Sequence, residues 1–195
     1  MRKTEPGHAS PRGKKSSRRL LAVGLALAGL TTAWPALADG DEPAADKSAD
    51  KGCSTIGWSV KQERAWFANP NLPRRVSAAR LRRIDRAVEV DLKPISGLHF
   101  FLPPEVPPKA GSYGGLVAFF GVPHPGSYQL TLSDDADVDV FENGARIRPS
   151  ALARAPDCPQ ARVSARYQLA PGDLVLVQIA DAAQPTIKAA FAEAP

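Results

Sequence analysis

The feature that most constrains this chain is an apolar alternation with a period of two, which recurs through residues 88–191. Val88, Val90 and Leu92 alternate with Glu89 and Asp91 across 84–92. The pattern returns at 113–121 (YGGLVAFFG), 126–132 (GSYQLTL), 136–142 (ADVDVFE), 162–169 (RVSARYQL) and 173–180 (DLVLVQIA). Side chains that repeat every second residue belong to a strand with one face in a core. Shorter runs at 97–102 (GLHFFL), 145–148 (ARIR) and 185–191 (PTIKAAF) read the same way. Between the runs stands turn chemistry: Pro123-His124-Pro125-Gly126, Asn143-Gly144 and Pro171-Gly172. Asn-Gly is the strongest of these signals, because both residues tolerate the positive φ of a type I′ hairpin.

Many short strands without a long helical pattern predict an all-β fold, a two-sheet antiparallel β-sandwich of jelly-roll-like type. One short N-terminal helix is expected within 58–67 (WSVKQERAWF), ended by Asn69-Pro70 and docked by its two tryptophans. In the expected core, Val117 with Phe119, or else Leu116 with Ala118 and Phe120, share a layer with Tyr128, Leu130 and Leu132. Val138, Val140, Val163, Ala165, Tyr167, Leu169, Val175, Val177 and Ile179 supply the facing layer.

The N-terminal segment sets the expected compartment. Arg2, Lys3, Arg12, Lys14, Lys15, Arg18 and Arg19 stand against Glu5 alone, and an apolar run at 20–33 follows. Ala36-Leu37-Ala38 is a small-x-small cleavage sequence, so residues 1–38 read as an export signal peptide. The run is short for the roughly 20 residues of a membrane span, and none is expected after cleavage. Ser17-Arg18-Arg19-Leu20-Leu21 also resembles a twin-arginine motif, and Sec export stays open beside it. Removal of the signal leaves 18 basic against 19 acidic side chains, so the formal charge of +5 becomes −1. A nucleic-acid partner loses its electrostatic basis with it. Residues 39–52 are polar and read as a disordered tether, which leaves 53–195 as one β-sandwich domain. Cys53 and Cys158, far apart and without a CxxC pair, are expected to form one disulfide in a periplasmic or secreted protein.

Candidate chemistry is sparse. The acidic run Asp134-Asp135-Ala136-Asp137-Val138-Asp139 has carboxylates for a cation, with Asp137 and Asp139 as the candidate ligands. It departs from the EF-hand: counted from Asp135, the sixth position is Val140 and the twelfth Arg146. Period two places Val138 and Val140 inside and points Asp137 and Asp139 to water. His99 and His124 remain after cleavage as further metal candidates, one expected in a strand and the other between prolines. No GxSxG elbow is present, and Gly111-Ser112-Tyr113-Gly114-Gly115 enters a strand where phosphate cradling needs a helix. Gly114 and Gly115 suggest a bulge or a close backbone approach. No cofactor is expected. The basic cluster Arg74, Arg75, Arg80, Arg82, Arg83 and Arg86 is either a solvated face, a partner of the acidic run, or a binder of an anionic surface through Arg75, Arg82, Arg83 and Arg86. Trp58, Trp66, Tyr113 and Phe101 are core residues or a sugar platform.

Two resemblances add to this reading. The run GSYQLTLSDDADVDVFENG resembles the bacterial pre-peptidase C-terminal type of β-sandwich over residues 111–191, which implies an accessory domain of secreted proteins. The order Cys53, Trp58, Glu63-Arg64-Ala65, GSYGGLVAFFGVPHPGSY, Cys158 and LAPGDLVLVQIA is similar to a set of exported proteobacterial proteins, some labelled homogentisate dioxygenase. That label implies a non-haem iron site of two histidines and a carboxylate, and here it points to His99 and His124. The expectation from the residues is an exported binding or accessory protein of the cell envelope, with an envelope protein or ligand as partner. A metal-dependent enzyme and an anionic-surface binder are the alternatives.

Overall fold

The computed structural model describes residues 51–195 except 78, 82–85 and 173. The export signal, nearly all of the tether, and Arg82 and Arg83 of the basic cluster lie outside the described residues. The described strands are β1 (Arg74–Val76), β2 (Ala79–Leu81), β3 (Arg86–Asp91), β4 (Lys93–Pro94), β5 (Tyr113–Phe120) and β6 (Gly126–Leu132), followed by β7 (Asp137–Glu142), β8 (Ala145–Ile147), β9 (Ala151–Arg154), β10 (Val163–Leu169), β11 (Leu174–Ala182) and β12 (Thr186–Glu193). A seven-residue helix, α1 (Lys61–Phe67), precedes them, after a short helical stretch at 51–53 and a 3-10 turn at Ser54–Ile56. Among the described residues no helix is long and apolar enough to cross a membrane.

The strands form two sheets. The first has the order β1-β3-β12-β6-β10-β9, and the second β2-β5-β11-β7-β8, with β4 pairing the start of β5. Chain neighbours mostly sit in opposite sheets, and the first long strand, β3, lies beside the last, β12. This is the wrapping of a jelly-roll sandwich. Alternation drives it: Val117 and Phe119 of β5, Val140 of β7, and Val175, Val177 and Ile179 of β11 are buried. Across from them are Val88 and Val90, Tyr128, Leu130 and Leu132, Val163, Ala165, Tyr167 and Leu169, and Ile187 and Phe191. Phe119 meets Phe191 across the interior with ring centroids 5.0 Å apart. Each such side chain, fully buried, contributes roughly 1.5–3 kcal/mol.

Three details correct the expectation from periodicity. Tyr128, Leu130 and Leu132 face the β5 side chains instead of sharing their layer, because β6 pairs β10 and β12 in the other sheet. Pro123 and Pro125, which lack the N–H a ladder needs, stand where a hairpin would have formed. Second, 97–102 is not a strand: a 3-10 turn, Ile95–Gly97, leads into a long loop over the outer face of the second sheet. His99 is exposed on that loop. Third, β1 pairs β3 in parallel and β2 pairs β5 in parallel, at one edge of each sheet. Ser77 lies between them, its N–H donating to Asp91 O at 3.1 Å while its Oγ accepts from Leu116 N at 3.0 Å. One residue thereby ties both sheets where the chain switches between them.

Asn143 (φ 49°) and Gly144 (φ 88°) form the expected tight turn from β7 to β8. Gly114 is where backbones approach: a Cβ there would sit 2.7 Å from Ile179 O, next to the register shift between β5 and β11.

Each outer face carries a cover. At seven residues α1 is too short to persist alone, and tertiary contacts hold it on the first sheet. Phe67 inserts against Ala87 and Ala190, and Lys188 Nζ donates to Phe67 O at 2.6 Å. Glu63 is buried and accepts a 2.7 Å hydrogen bond from Gln129 Nε2, which also donates to Ser59 O. Burial holds the Glu63 carboxyl above its ordinary pKa, against the lowering pull of its own backbone N–H, Gln129 and Arg166. Trp58 donates to Ser164 Oγ at 3.0 Å beneath the Arg166 guanidinium, so this tryptophan docks on a polar strip. Upstream, the Cys53–Cys158 disulfide pins the segment to the β9–β10 connection, with Ile56, Val60 and Ala161 packed around it.

Candidate functional site

The loop over the second sheet is held by Gln178, which is fully buried in the middle of β11. Its Nε2 donates to Leu102 O (3.1 Å) and Asp139 Oδ2 (3.0 Å), and its Oε1 accepts from Phe101 N (2.9 Å). Phe101 meets Phe141 edge-on at 5.1 Å, and Arg146 lies over the Phe141 ring while donating to Pro103 O. Lys109 closes the far end of the loop on Asp181 at 2.7 Å, which draws the Asp181 pKa down. Asp139 is therefore buried, where alternation pointed it to water: the loop covers its face, and Glu105 N also donates to it at 3.3 Å. Arg146 Nε lies 3.3 Å from its Oδ1 at ion-pair distance, without hydrogen-bond alignment.

Where this cover ends, the sandwich opens. β8 pairs only residues 140–142 of β7, so residues 137–139 border a gap between the two sheets. Across it lie β9 and β10, and Pro104, Glu105 and Val106 close the top. The resulting cleft has a volume of 160 Å³. Val106 and Leu152, each 54% exposed, form apolar lips, while Arg154 is bound to its rim. Arg154 Nη1 reaches Asp135 and Nη2 reaches Asp137, both at 2.5 Å, which ties the β6–β7 turn to the opposite sheet.

Tyr167 is the unusual member of the lining. It is 2% exposed, and its hydroxyl makes no hydrogen bond to a described residue while staying open to solvent rather than sealed in the interior. Its cross-strand neighbour Tyr128, by contrast, donates to His124 O at 2.8 Å. Burial, and secondarily the nearby Asp139 charge, push the Tyr167 phenol well above its ordinary pKa, so it stays protonated at neutral pH.

The candidates from sequence fall in different places. Asp137 and Asp139 meet at the cleft, but both are engaged by arginines, as is Asp134 by Arg162 at 3.5 Å. His99 is flanked by Leu98 and Phe100, which lie against Gly114 near the start of β5, whereas His124 follows its end. A strand of eight residues spans about 25 Å, so the histidines sit at opposite ends of it. Among the described residues no three His, Cys, Asp or Glu side chains converge as a metal set. Of the basic cluster, Arg74 pairs with Asp91 at 2.6 Å, and Arg75 and Arg86 are exposed. Arg86 borders a second, more open depression of 280 Å³ with Trp66, Asn69 and Asn71. A third, of 560 Å³, lies beside the disulfide at Thr55 and Asp157.

Sequence reasoning placed Tyr167 in the core and missed its isolated hydroxyl. It also missed Gln129 and Gln178, although a lone amide inside an otherwise apolar strand (GSYQLTL, LVLVQIA) was a usable signal that the outer face is covered. No protein-family model matches the chain, and no curated protein matches it.

Proposed function

We propose that this chain is an exported β-sandwich protein of the bacterial cell envelope that works by binding, with the cleft between β7 and β9 as its site. The observation that carries the reading is an open 160 Å³ cleft lined by Tyr167, whose hydroxyl makes no hydrogen bond to a described residue. The disulfide supports an oxidising compartment.

Two measurements test this. Mass spectrometry of the periplasmic or secreted fraction should find a chain that begins near Asp39 with Cys53 joined to Cys158; a full-length cytoplasmic product with free thiols would refute export. A small-fragment screen by NMR should move signals of Val106, Asp137, Leu152 and Tyr167. Hits confined to the depression at Trp66 and Arg86 would place the site elsewhere.

A further inference from the structure

Glu105, Asp137 and Asp139 line the cleft against Arg154 alone, so the site carries more negative than positive charge. The guanidinium is already divided between Asp135 and Asp137. Asp139 is held by Gln178, by Glu105 N and by Arg146. Of the charged and hydroxyl groups in this lining, the exposed Glu105 carboxylate and the Tyr167 oxygen are the ones with no bond to a described residue. An anion would meet net repulsion; a cation would meet the Glu105 carboxylate and a phenol oxygen able to accept. The rest of the lining is largely aliphatic, with Val106, Val138, Leu152 and Val163. For scale, an apolar cavity of about 150 Å³ takes up benzene, so 160 Å³ has room for a group of about six heavy atoms.

Resting on the binding role assigned above, we infer that the cleft takes a primary ammonium on a short aliphatic chain, presented as a lysine side chain of a polypeptide partner. An ammonium brings three donors and no acceptor, which fits a site whose spare groups are acceptors. The methylenes lie along Val106 and Leu152, as lysine stems do on apolar surface elsewhere. The exposed lips, with Leu102 beyond them at 41% exposure, give the rest of such a partner an apolar surface to rest on.

The test uses isotope-labelled mature protein and three probes: Nα-acetyl-lysine N-methylamide, its norleucine counterpart, and cadaverine. The lysine probe should shift Val106, Leu152 and Tyr167 signals with at least about tenfold tighter binding than norleucine, a charge-assisted hydrogen bond's worth. Glu105→Gln and Tyr167→Phe should each remove most of that difference. Tyr167→Phe should keep the melting temperature, since its hydroxyl bonds nothing within the described chain. Norleucine binding as well as lysine would overturn the ammonium assignment and leave the cleft as a site. Cadaverine binding more tightly than the lysine probe would overturn the polypeptide source. Failure of all three probes to move these signals at millimolar concentration would remove the cleft reading itself.

Discussion

Replacing Gln178 with leucine isolates what fixes the loop over the second sheet. The side chains are close in size and the position is fully buried, so the change removes hydrogen bonds without leaving a large void. Three contacts go: two to the loop backbone, at Phe101 N and Leu102 O, and one to the Asp139 carboxylate. A neutral hydrogen bond is worth about 1 kcal/mol net and one to a charged group about 1.5–3, so the gross loss is about 4 kcal/mol. Burying leucine methyls returns about 1 kcal/mol, which leaves a deficit near 3 kcal/mol. The loop can avoid leaving Phe101 N and Leu102 O dry by lifting into water, so the cost should fall first on local opening. Amide exchange across 98–110 is therefore expected to accelerate by about a hundredfold, with global stability in urea reduced by less than the full deficit. Since Pro104, Glu105 and Val106 form one wall of the cleft, probe binding should weaken in parallel. Unchanged exchange across 98–110 in the leucine variant would refute the claim that Gln178 holds the loop.

Four further outcomes are expected. Glu63 has a folded pKa above its unfolded one, so its contribution is fully present below the unfolded value and is lost as pH rises through the folded value. Glu63→Gln should accordingly melt higher than the parent at pH 7 and close to it at pH 3; a lower melting point at pH 7 would contradict the assigned cause. Removing the Cys53–Cys158 bond, which spans 105 residues, should cost about 4–5 kcal/mol in urea titrations of the Cys53→Ser/Cys158→Ser double variant. Gly114→Ala places a Cβ 2.7 Å from Ile179 O and should cost about 1–3 kcal/mol. Gly126→Ala, with nothing within 4 Å, should change stability by no more than about 0.5 kcal/mol in the same denaturation assay.

How much was legible beforehand follows from which physical signals are local. Alternation and the Asn143-Gly144 turn are local, so β5, β6, β7, β10, β11 and β12 stand within a few residues of their expected places. The sheet in which each strand lies is decided by connections, and there the prolines around His124 were under-read. β1, β2 and β9 were invisible for a different reason. They are three- or four-residue edge strands of arginine, alanine and a few aliphatics, too short for a period of two to stand out. The stretch 97–102 misled because its apolar side chains do find burial, but on the back of a sheet, where side chains dock without a ladder. The candidate site was the least legible. Asp137 and Asp139 stood out by charge, whereas the isolation of the Tyr167 hydroxyl is a property of its surroundings, which no window of sequence contains.

The two covers explain why a single cleft is distinctive in this architecture. A sandwich with two wet outer faces has polar groups everywhere, and one more carries no information. Here both outer faces are partly dry, each organised around a buried glutamine: Gln129 under the disulfide-anchored helix segment and Gln178 under the loop. An amide buried on a sheet's outer face is tolerable only when its partners are supplied in a fixed geometry, so each glutamine selects one position of its cover where apolar contact alone would accept several. That selection fixes Glu105 and Val106 above residues 137–139. With β8 ending opposite Val140, the gap is bounded on three sides by elements that hydrogen bonds hold in place. A site so bounded is pre-organised, and binding to it forgoes much of the ordering cost that a mobile loop would impose. The same logic ties recognition to the loop: loosening Gln178 should weaken the cleft's ligand although Gln178 itself does not line the cleft.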